Sequence, residues 1–133
     1  MSMEFIKTKN NVLTTIIIRR EYMPTETTFV TSPDFAQQVG FVVYPAGGVI
    51  KRHIHKTVDR QNISCSEALI VRQGRLEIDI YDQNKSLLAT RELQAGDFVL
   101  MVCGGHGFRI LEAVILLEIK LGPYGGPTDK ELF

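Results

Sequence analysis

Two of the chain's three histidines form the motif His53-Ile54-His55. On a β-strand, alternate side chains point to the same face, so the two imidazoles would project together, about 7 Å apart. Imidazole is the commonest protein ligand for divalent transition metals. The motif therefore predicts part of a metal site, although two surface or structural histidines produce the same pattern.

Two further side chains could complete such a site. Glu67 opens the apolar run 68–71, where a carboxylate is costly to bury without a cation or hydrogen-bond donors. His106 lies in a glycine-flanked stretch, residues 103–108, that predicts a tight corner between two strands. A solvent-facing strand end and an exposed turn histidine are the alternatives. Together the four residues favour one site with His53, His55, Glu67 and His106 as ligands.

Short β-strands must position these residues. In residues 75–82, apolar Leu76, Ile78 and Ile80 alternate with polar neighbours, which is typical of a half-buried strand. Other strands are predicted at residues 12–20, 39–44, 50–55, 67–72, 87–89, 97–102, 108–111 and 114–121. Gly- and Pro-containing turns separate them, and no segment shows a sustained helical stripe, so we expect an all-β sandwich or barrel. We predict one domain over residues 1–133, with the barrel core at about 12–121 and a polar tail at 122–133.

The motif spacing resembles that of the cupin superfamily. The matching positions in the first motif are Gly47, His53, His55, Glu67 and Gly74, and those in the second are Gly96, Asp97, Gly104 and His106. The match covers about residues 47–110. It departs from the family pattern in a longer spacer between His55 and Glu67, in Val102 at a usual proline, in His106 lying one residue early, and in Ile110 at a usual asparagine.

The resemblance implies a cupin-type double-stranded β-helix (jelly-roll) barrel. It also implies one divalent transition metal, Fe, Mn, Ni, Zn, Co or Cu, held by His53, His55, Glu67 and His106. Such a site leaves coordination positions open for water or substrate. The small single-domain cupins that this chain most resembles carry no firm reaction to transfer.

Composition excludes several functional classes. The chain has 133 residues, 44% hydrophobic and 23% charged, with 15 basic and 15 acidic residues and no formal net charge. This balance argues against a general nucleic-acid binder. No stretch approaches the roughly 20 apolar residues of a membrane span, and no secretory leader is evident. We therefore expect a cytoplasmic protein that binds neither nucleic acid nor membrane.

Several other residues have possible roles around the site. Arg60 could hold an anionic substrate, with solvated surface as the alternative. Cys65 could face the cavity, but Cys65 and Cys103 also fit as buried small hydrophobes. Because barrels with open strand edges often pair, we predict a homodimer through residues 12–20 and the opposing sheet.

Three functions remain open at this point. The first is a metalloenzyme acting on a small polar molecule, of the isomerase, epimerase or dioxygenase type. The second is a non-catalytic barrel that binds or senses a small ligand, and the third is a metal-free barrel with cavity-lining histidines. The four potential ligands favour metal, but no catalytic residue can be assigned because no further general base is evident.

Overall fold

The computed structural model describes residues 2–53, 66–120 and 131–133. They contain eight β-strands and no helix, which confirms the all-β prediction. The strands are β1 (Met3–Lys7), β2 (Leu13–Ile18), β3 (Thr28–Phe29), β4 (Gly40–Phe41), β5 (Glu67–Tyr81), β6 (Leu87–Gln94), β7 (Phe98–Met101) and β8 (Gly105–Lys120). The chain forms two compact units, Met1–Tyr22 with Cys65–Phe133, and Met23–Ser64.

The larger unit is one antiparallel sheet organised around β5. Its strand order is β1-β2-β7-β5-β6, and β8 also pairs with β5. One edge of β5 pairs with β7 through residues 67–70 and with β6 through residues 75–81. β8 pairs with β5 from Glu67 to Tyr81. The strands predicted at 67–72 and 75–82 are therefore one continuous strand, as are those predicted at 108–111 and 114–121.

A bend in the middle of β5 curls this sheet into a half-barrel. The β5–β8 register shifts between Val71 and Leu76. Gly74 lies inside this region with φ of 86°, and a Cβ atom there would collide with the carbonyl oxygen of Ala113. Only glycine combines this left-handed conformation with so close a backbone approach. The bend therefore depends on Gly74.

The core lies on the inner face of the curled sheet. Leu69 and Val71 contribute from the first half of β5, and Leu76, Ile78 and Ile80 contribute from the second half. The switch from odd to even residue numbers follows from the irregular register at 73–75. The buried cluster is completed by Ile6, Ile17, Leu93, Val99 and Met101. Full burial of each such side chain contributes about 1.5–3 kcal/mol.

The smaller unit contains little regular structure among its described residues. β3 and β4 form a two-residue ladder, Thr28 opposite Phe41 and Phe29 opposite Gly40. Thr27 extends it, because its hydroxyl accepts from the Val43 backbone N–H at 3.0 Å. The strand predicted at 39–44 is therefore confirmed only at Gly40–Phe41. The prediction at 50–55 is wrong for residues 50–53, which form no strand, and residues 54–55 lie outside the described part.

Both edges of β2 are used within the chain. β1 pairs along one edge and β7 along the other, and Thr14 through Ile18 are buried. β2 confirms residues 13–18 of the strand predicted at 12–20 but offers no open edge to a second copy. Homodimer formation stays a prediction, and the route through residues 12–20 is closed by these two intramolecular ladders.

The last residues of the chain contact the β5–β6 hairpin. The Phe133 ring lies edge-on to that of Tyr81, with 5.0 Å between the centroids. Lys85 forms an ion pair with Glu131 at 2.6 Å. These contacts fix residues 131–133 of the predicted tail on the outer side of the sheet, because Tyr81 alternates with the inward-facing Ile80.

Candidate functional site

Glu67 and His106 lie on the inner face of the half-barrel. Glu67 begins β5 and shares the face of Leu69 and Val71, both core residues. His106 is the second residue of β8 and lies directly opposite the core residue Ile80. Both side chains thus lie where the core face becomes accessible to solvent. The exposed fraction of the side chain is 28% for Glu67 and 30% for His106.

The bend brings these side chains together from opposite ends of the β5–β8 ladder. Glu67 pairs with Lys120 at one end and Ile80 pairs with His106 at the other. Nevertheless, Glu67 Oε2 and His106 Nε2 lie 3.7 Å apart. That distance is too long for a hydrogen bond. It is close to the separation of roughly 3.0–3.4 Å between neighbouring ligand atoms that each lie about 2.1 Å from one metal ion.

Two apolar side chains border the pair, and Lys120 lies opposite Glu67 on β8. The His106 and Phe108 rings pack at 52° with 5.5 Å between centroids. Met101 lies opposite Glu67 on β7 and is buried. A low-polarity wall strengthens the attraction between a carboxylate and a cation, while the partial exposure leaves access from solvent.

His106 was expected at a corner, and the structure corrects this detail. The turn ends at Gly104, whose φ is 80° and where a Cβ atom would collide with the Tyr81 carbonyl oxygen. β8 begins at the next residue, so His106 lies within a strand. The strand fixes which face the imidazole occupies, which an open turn would not do.

His53 lies in the smaller unit and is exposed. It is not on a strand, so alternation along a strand does not determine its direction. Its Nδ1 lies 2.8 Å from the carbonyl oxygen of Lys51. A carbonyl can only accept, so Nδ1 carries the proton, and in the neutral ring Nε2 carries the lone pair that a metal requires.

The remaining predicted site residues are His55, Arg60 and Cys65. All three lie outside the described residues. Within residues 2–53, 66–120 and 131–133, no group of three or more His, Cys, Asp or Glu side chains is arranged to hold a metal. The described part of the predicted site is therefore the Glu67–His106 pair and, separately, His53.

Cys103 agrees with the interpretation of this residue as structural rather than as a metal ligand or reactive thiol. Its thiol donates to the Leu13 carbonyl oxygen at 3.4 Å, and burial raises the pKa of the thiol. A raised pKa favours the uncharged thiol over the thiolate that binds metals or attacks electrophiles.

A second polar cluster was not anticipated from the sequence. Asp97 is 1% exposed and accepts hydrogen bonds from the Arg19 guanidinium at 3.1 Å, from the Arg20 N–H at 3.2 Å and from the Gln94 N–H at 2.9 Å. It borders a cavity of about 420 Å³ whose lining also includes Glu4 and Glu92. The Gly96-Asp97 turn is the feature of the sequence that could have indicated this cluster. Because its carboxylate is satisfied by these donors, Asp97 anchors the β6–β7 turn to β2.

Glu4 lies beside Asp97 in the same cluster. Burial alone would raise the pKa of Glu4, but hydrogen bonds from Arg91 and Arg19 hold that pKa below its ordinary value. The glutamate is thus kept ionised by two guanidinium groups at 2.9 and 3.3 Å. This cluster joins β1, β2 and β6 electrostatically.

No helix among the described residues has the length and apolar character needed to cross a bilayer. No family model matches the chain, and no curated protein or solved structure matches it either.

Proposed function

We propose that this protein is a small metal-binding barrel of the cupin type that acts on a small polar molecule, as an isomerase, epimerase or dioxygenase. The proposal includes a cytoplasmic location and a homodimer. Its main support is the 3.7 Å approach of Glu67 and His106 on the inner face. Carboxylate and imidazole together form a mixed O/N ligand set suited to divalent transition metals.

In this proposal His53 and His55 supply the other two ligands. The Nδ1 contact of His53 with the Lys51 carbonyl supports its part, because a proton on Nδ1 makes Nε2 the basic nitrogen of the neutral ring. Mixed ligation of this kind suits Fe, Mn, Ni, Zn, Co or Cu and does not select among them. One such ion per chain is expected.

A bound ion of this class supplies Lewis-acid polarisation of a substrate oxygen, or redox chemistry if it is redox active. The chain's own residues define the rest of the site. Phe108 packs against the His106 ring, and the buried Met101 lies opposite Glu67. Arg60 and Cys65 are the substrate contacts proposed from the sequence. The partial exposure of Glu67 and His106 leaves both side chains accessible from solvent.

The direct test is metal binding by protein prepared without an affinity tag. Elemental analysis and calorimetric titration with Zn²⁺ or Co²⁺ should be made on the wild type, Glu67→Gln and His106→Ala. Glu77→Gln is the matched control, since Glu77 lies on the same strand but contacts Arg109 on the outer face. We expect one ion per wild-type chain. Changing a residue that only hydrogen-bonds to a metal ligand typically lowers metal affinity by roughly 10–100-fold. In the two inner-face variants, which remove a ligand itself, we expect a larger loss of metal affinity.

Two outcomes separate the parts of the proposal. If Glu67→Gln and His106→Ala bind metal as the wild type and Glu77→Gln do, the site assignment is wrong. If metal binds as expected but screens for oxygen consumption and for isomerisation of sugars and diketones show no turnover, the protein is the binding or sensor barrel instead.

A further inference from the structure

The C-terminal residue Phe133 packs at a point where β8 carries no side chain. A Cβ atom at Gly105 would lie 2.7 Å from Cζ and 3.0 Å from Cε1 of the Phe133 ring, so the ring occupies the space that a larger residue at position 105 would fill. Tyr81 lies opposite Gly105 on β5, and its ring stands edge-on to that of Phe133 with 5.0 Å between the centroids. Gly105 therefore receives the Phe133 ring, and Tyr81 borders it.

Lys85 adds charge to this contact from the β5–β6 turn. Its ammonium group lies 2.6 Å from a carboxylate oxygen of Glu131 and 5.9 Å from the centre of the Phe133 ring, within the range of a cation–π contact. The turn that carries Lys85 is held by Asp82, whose carboxylate accepts two backbone N–H groups of the turn at 2.9 Å. One ammonium group thus contacts both the acidic and the aromatic residue of the tail.

The contact lies next to His106. Tyr81 pairs with Gly105, and the adjoining pair of the ladder is Ile80 with His106. Gly105 is also the first residue of β8. Strand ends open more readily than strand centres, so a contact that restrains the first residue of β8 also restrains the residue that follows it.

We infer that Glu131 and Phe133 form a C-terminal anchor that holds the start of β8 against β5 and thereby positions His106. The anchor contacts the outer face, whereas the His106 imidazole lies on the inner face, so the anchor is a positioning element and not a ligand. Its effect on the opening of β8 does not depend on metal binding. Its effect on metal affinity rests on the proposed function.

Two substitutions remove the anchor from opposite sides. Phe133→Ala deletes the ring, and Gly105→Ala places a methyl group where the ring lies. Because the ring is the end of a side chain at the chain terminus, it can move away and leave the ladder intact. Gly107→Ala is the matched control, since Gly107 lies on the same face of β8 and a Cβ atom there has no neighbour within 4 Å. Leu132→Ala is the control for the tail, because Leu132 is 90% exposed.

Amide hydrogen exchange, followed by NMR on the full chain, measures the opening of β8 at residues 105–108. We expect both anchor variants to accelerate exchange there by about five- to tenfold, the scale of one aromatic pair together with a cation–π contact. Exchange in β1, an edge strand away from the anchor, should be unchanged. The two control variants should behave as the wild type does.

Zn²⁺ titration of the same variants measures the effect on the proposed site. Phe133→Ala and Gly105→Ala should weaken Zn²⁺ binding by about tenfold or less and keep one ion per chain. The loss is limited because the ion has to order only the segment that the anchor had ordered before. It should therefore be smaller than the loss in Glu67→Gln or His106→Ala.

Unchanged exchange at residues 105–108 in both anchor variants overturns the inference. An equal acceleration in β1, or in Gly107→Ala, overturns it as well, because the effect would then not come from the anchor. Faster exchange with unchanged Zn²⁺ affinity overturns the positioning of His106. A wild type that binds no Zn²⁺ defeats the proposed function instead, and the exchange experiment still decides whether the anchor holds β8.

Discussion

The two faces of the β5–β8 ladder use the same kinds of residue in different ways. On the outer face, Asp79 accepts hydrogen bonds from Arg109 and, at 2.6 Å, from Thr90. Arg75 contacts Glu92 at 2.9 Å on one neighbouring strand and Glu112 at 3.3 Å on the other. On the inner face, Glu67 and His106 stop 3.7 Å apart.

This difference separates charged groups that hold strands together from a polar pair that no direct hydrogen bond joins. The outer carboxylates have guanidinium partners with geometry that satisfies them directly. The two polar atoms of the inner pair lie farther apart than a hydrogen bond allows. The bend at Gly74 creates both environments, because it turns one strand into two facing halves.

The largest effect is expected at the bend itself. Gly74→Ala places a Cβ atom against the Ala113 carbonyl in a left-handed conformation. Left-handed strain and overpacking together should lower the free energy of unfolding by about 2–4 kcal/mol. Urea denaturation followed by circular dichroism measures this loss.

Gly47→Ala is the matched control for this substitution. Gly47 has φ of 85°, and a Cβ atom there would have no neighbour within 4 Å. It should show the conformational cost alone, about 1–2 kcal/mol. Equal losses for the two variants would mean that the close approach to Ala113 contributes nothing to the bend.

The inner face should also be more sensitive to truncation than the outer surface. Leu76 is fully buried in the core, so Leu76→Ala should cost about 2–5 kcal/mol. Leu87 is 57% exposed, and Leu87→Ala should change stability by about 0.5 kcal/mol or less. Both values come from the same denaturation experiment, and similar losses at the two positions would contradict the assignment of the core to the inner face.

The smallest effect concerns pH and the outer face. A hydrogen bond from Arg109, with a second from Thr90, lowers the pKa of Asp79 below its ordinary value. A lowered folded-state pKa contributes stability that is present above the unfolded pKa, about 3.9, and is lost as pH falls through the folded pKa. Asp79→Asn removes this dependence.

Melting temperatures between about pH 2.5 and 6 measure the effect. The wild type should lose stability below about pH 4 more steeply than Asp79→Asn does, because only the wild type must protonate this carboxylate. Parallel profiles for the two proteins would show that the Arg109 contact is too exposed to contribute.

Local sequence patterns predicted part of this fold. Alternation at Leu76, Ile78 and Ile80 identified a half-buried strand, since the side chains of a strand change face at every residue. The apolar stretch at 13–18 likewise marked β2. Both predictions depend only on neighbouring residues, which is why they succeeded.

Predictions that depend on distant partners were less successful. Gly74 suggested a boundary between two strands, but β8 pairs on both sides of it and keeps β5 continuous. Residues 42–44 and 50–53 contain β-branched and aromatic residues yet form no strand. β1 was overlooked, and its identity as a strand comes from pairing with β2.

The prediction of the site likewise combines a part that local sequence could indicate and a part that depends on distant residues. The types of Glu67 and His106 suggested metal ligands, and the structure brings these two side chains together. The sequence could not indicate how they meet, because their approach requires the bend rather than a short loop. The grouping of the pair with His53 and His55 stays a prediction.

The pairing of β2 with β7 has a consequence for how the chain is made. Ile17 lies opposite Val99, so β2 is synthesised about 80 residues before its central partner. At roughly 5–20 residues per second, this apolar strand waits about 4–16 s with only β1 available to pair with it. Nascent chains that stall before β7 should therefore be prone to aggregation and should depend on holding chaperones.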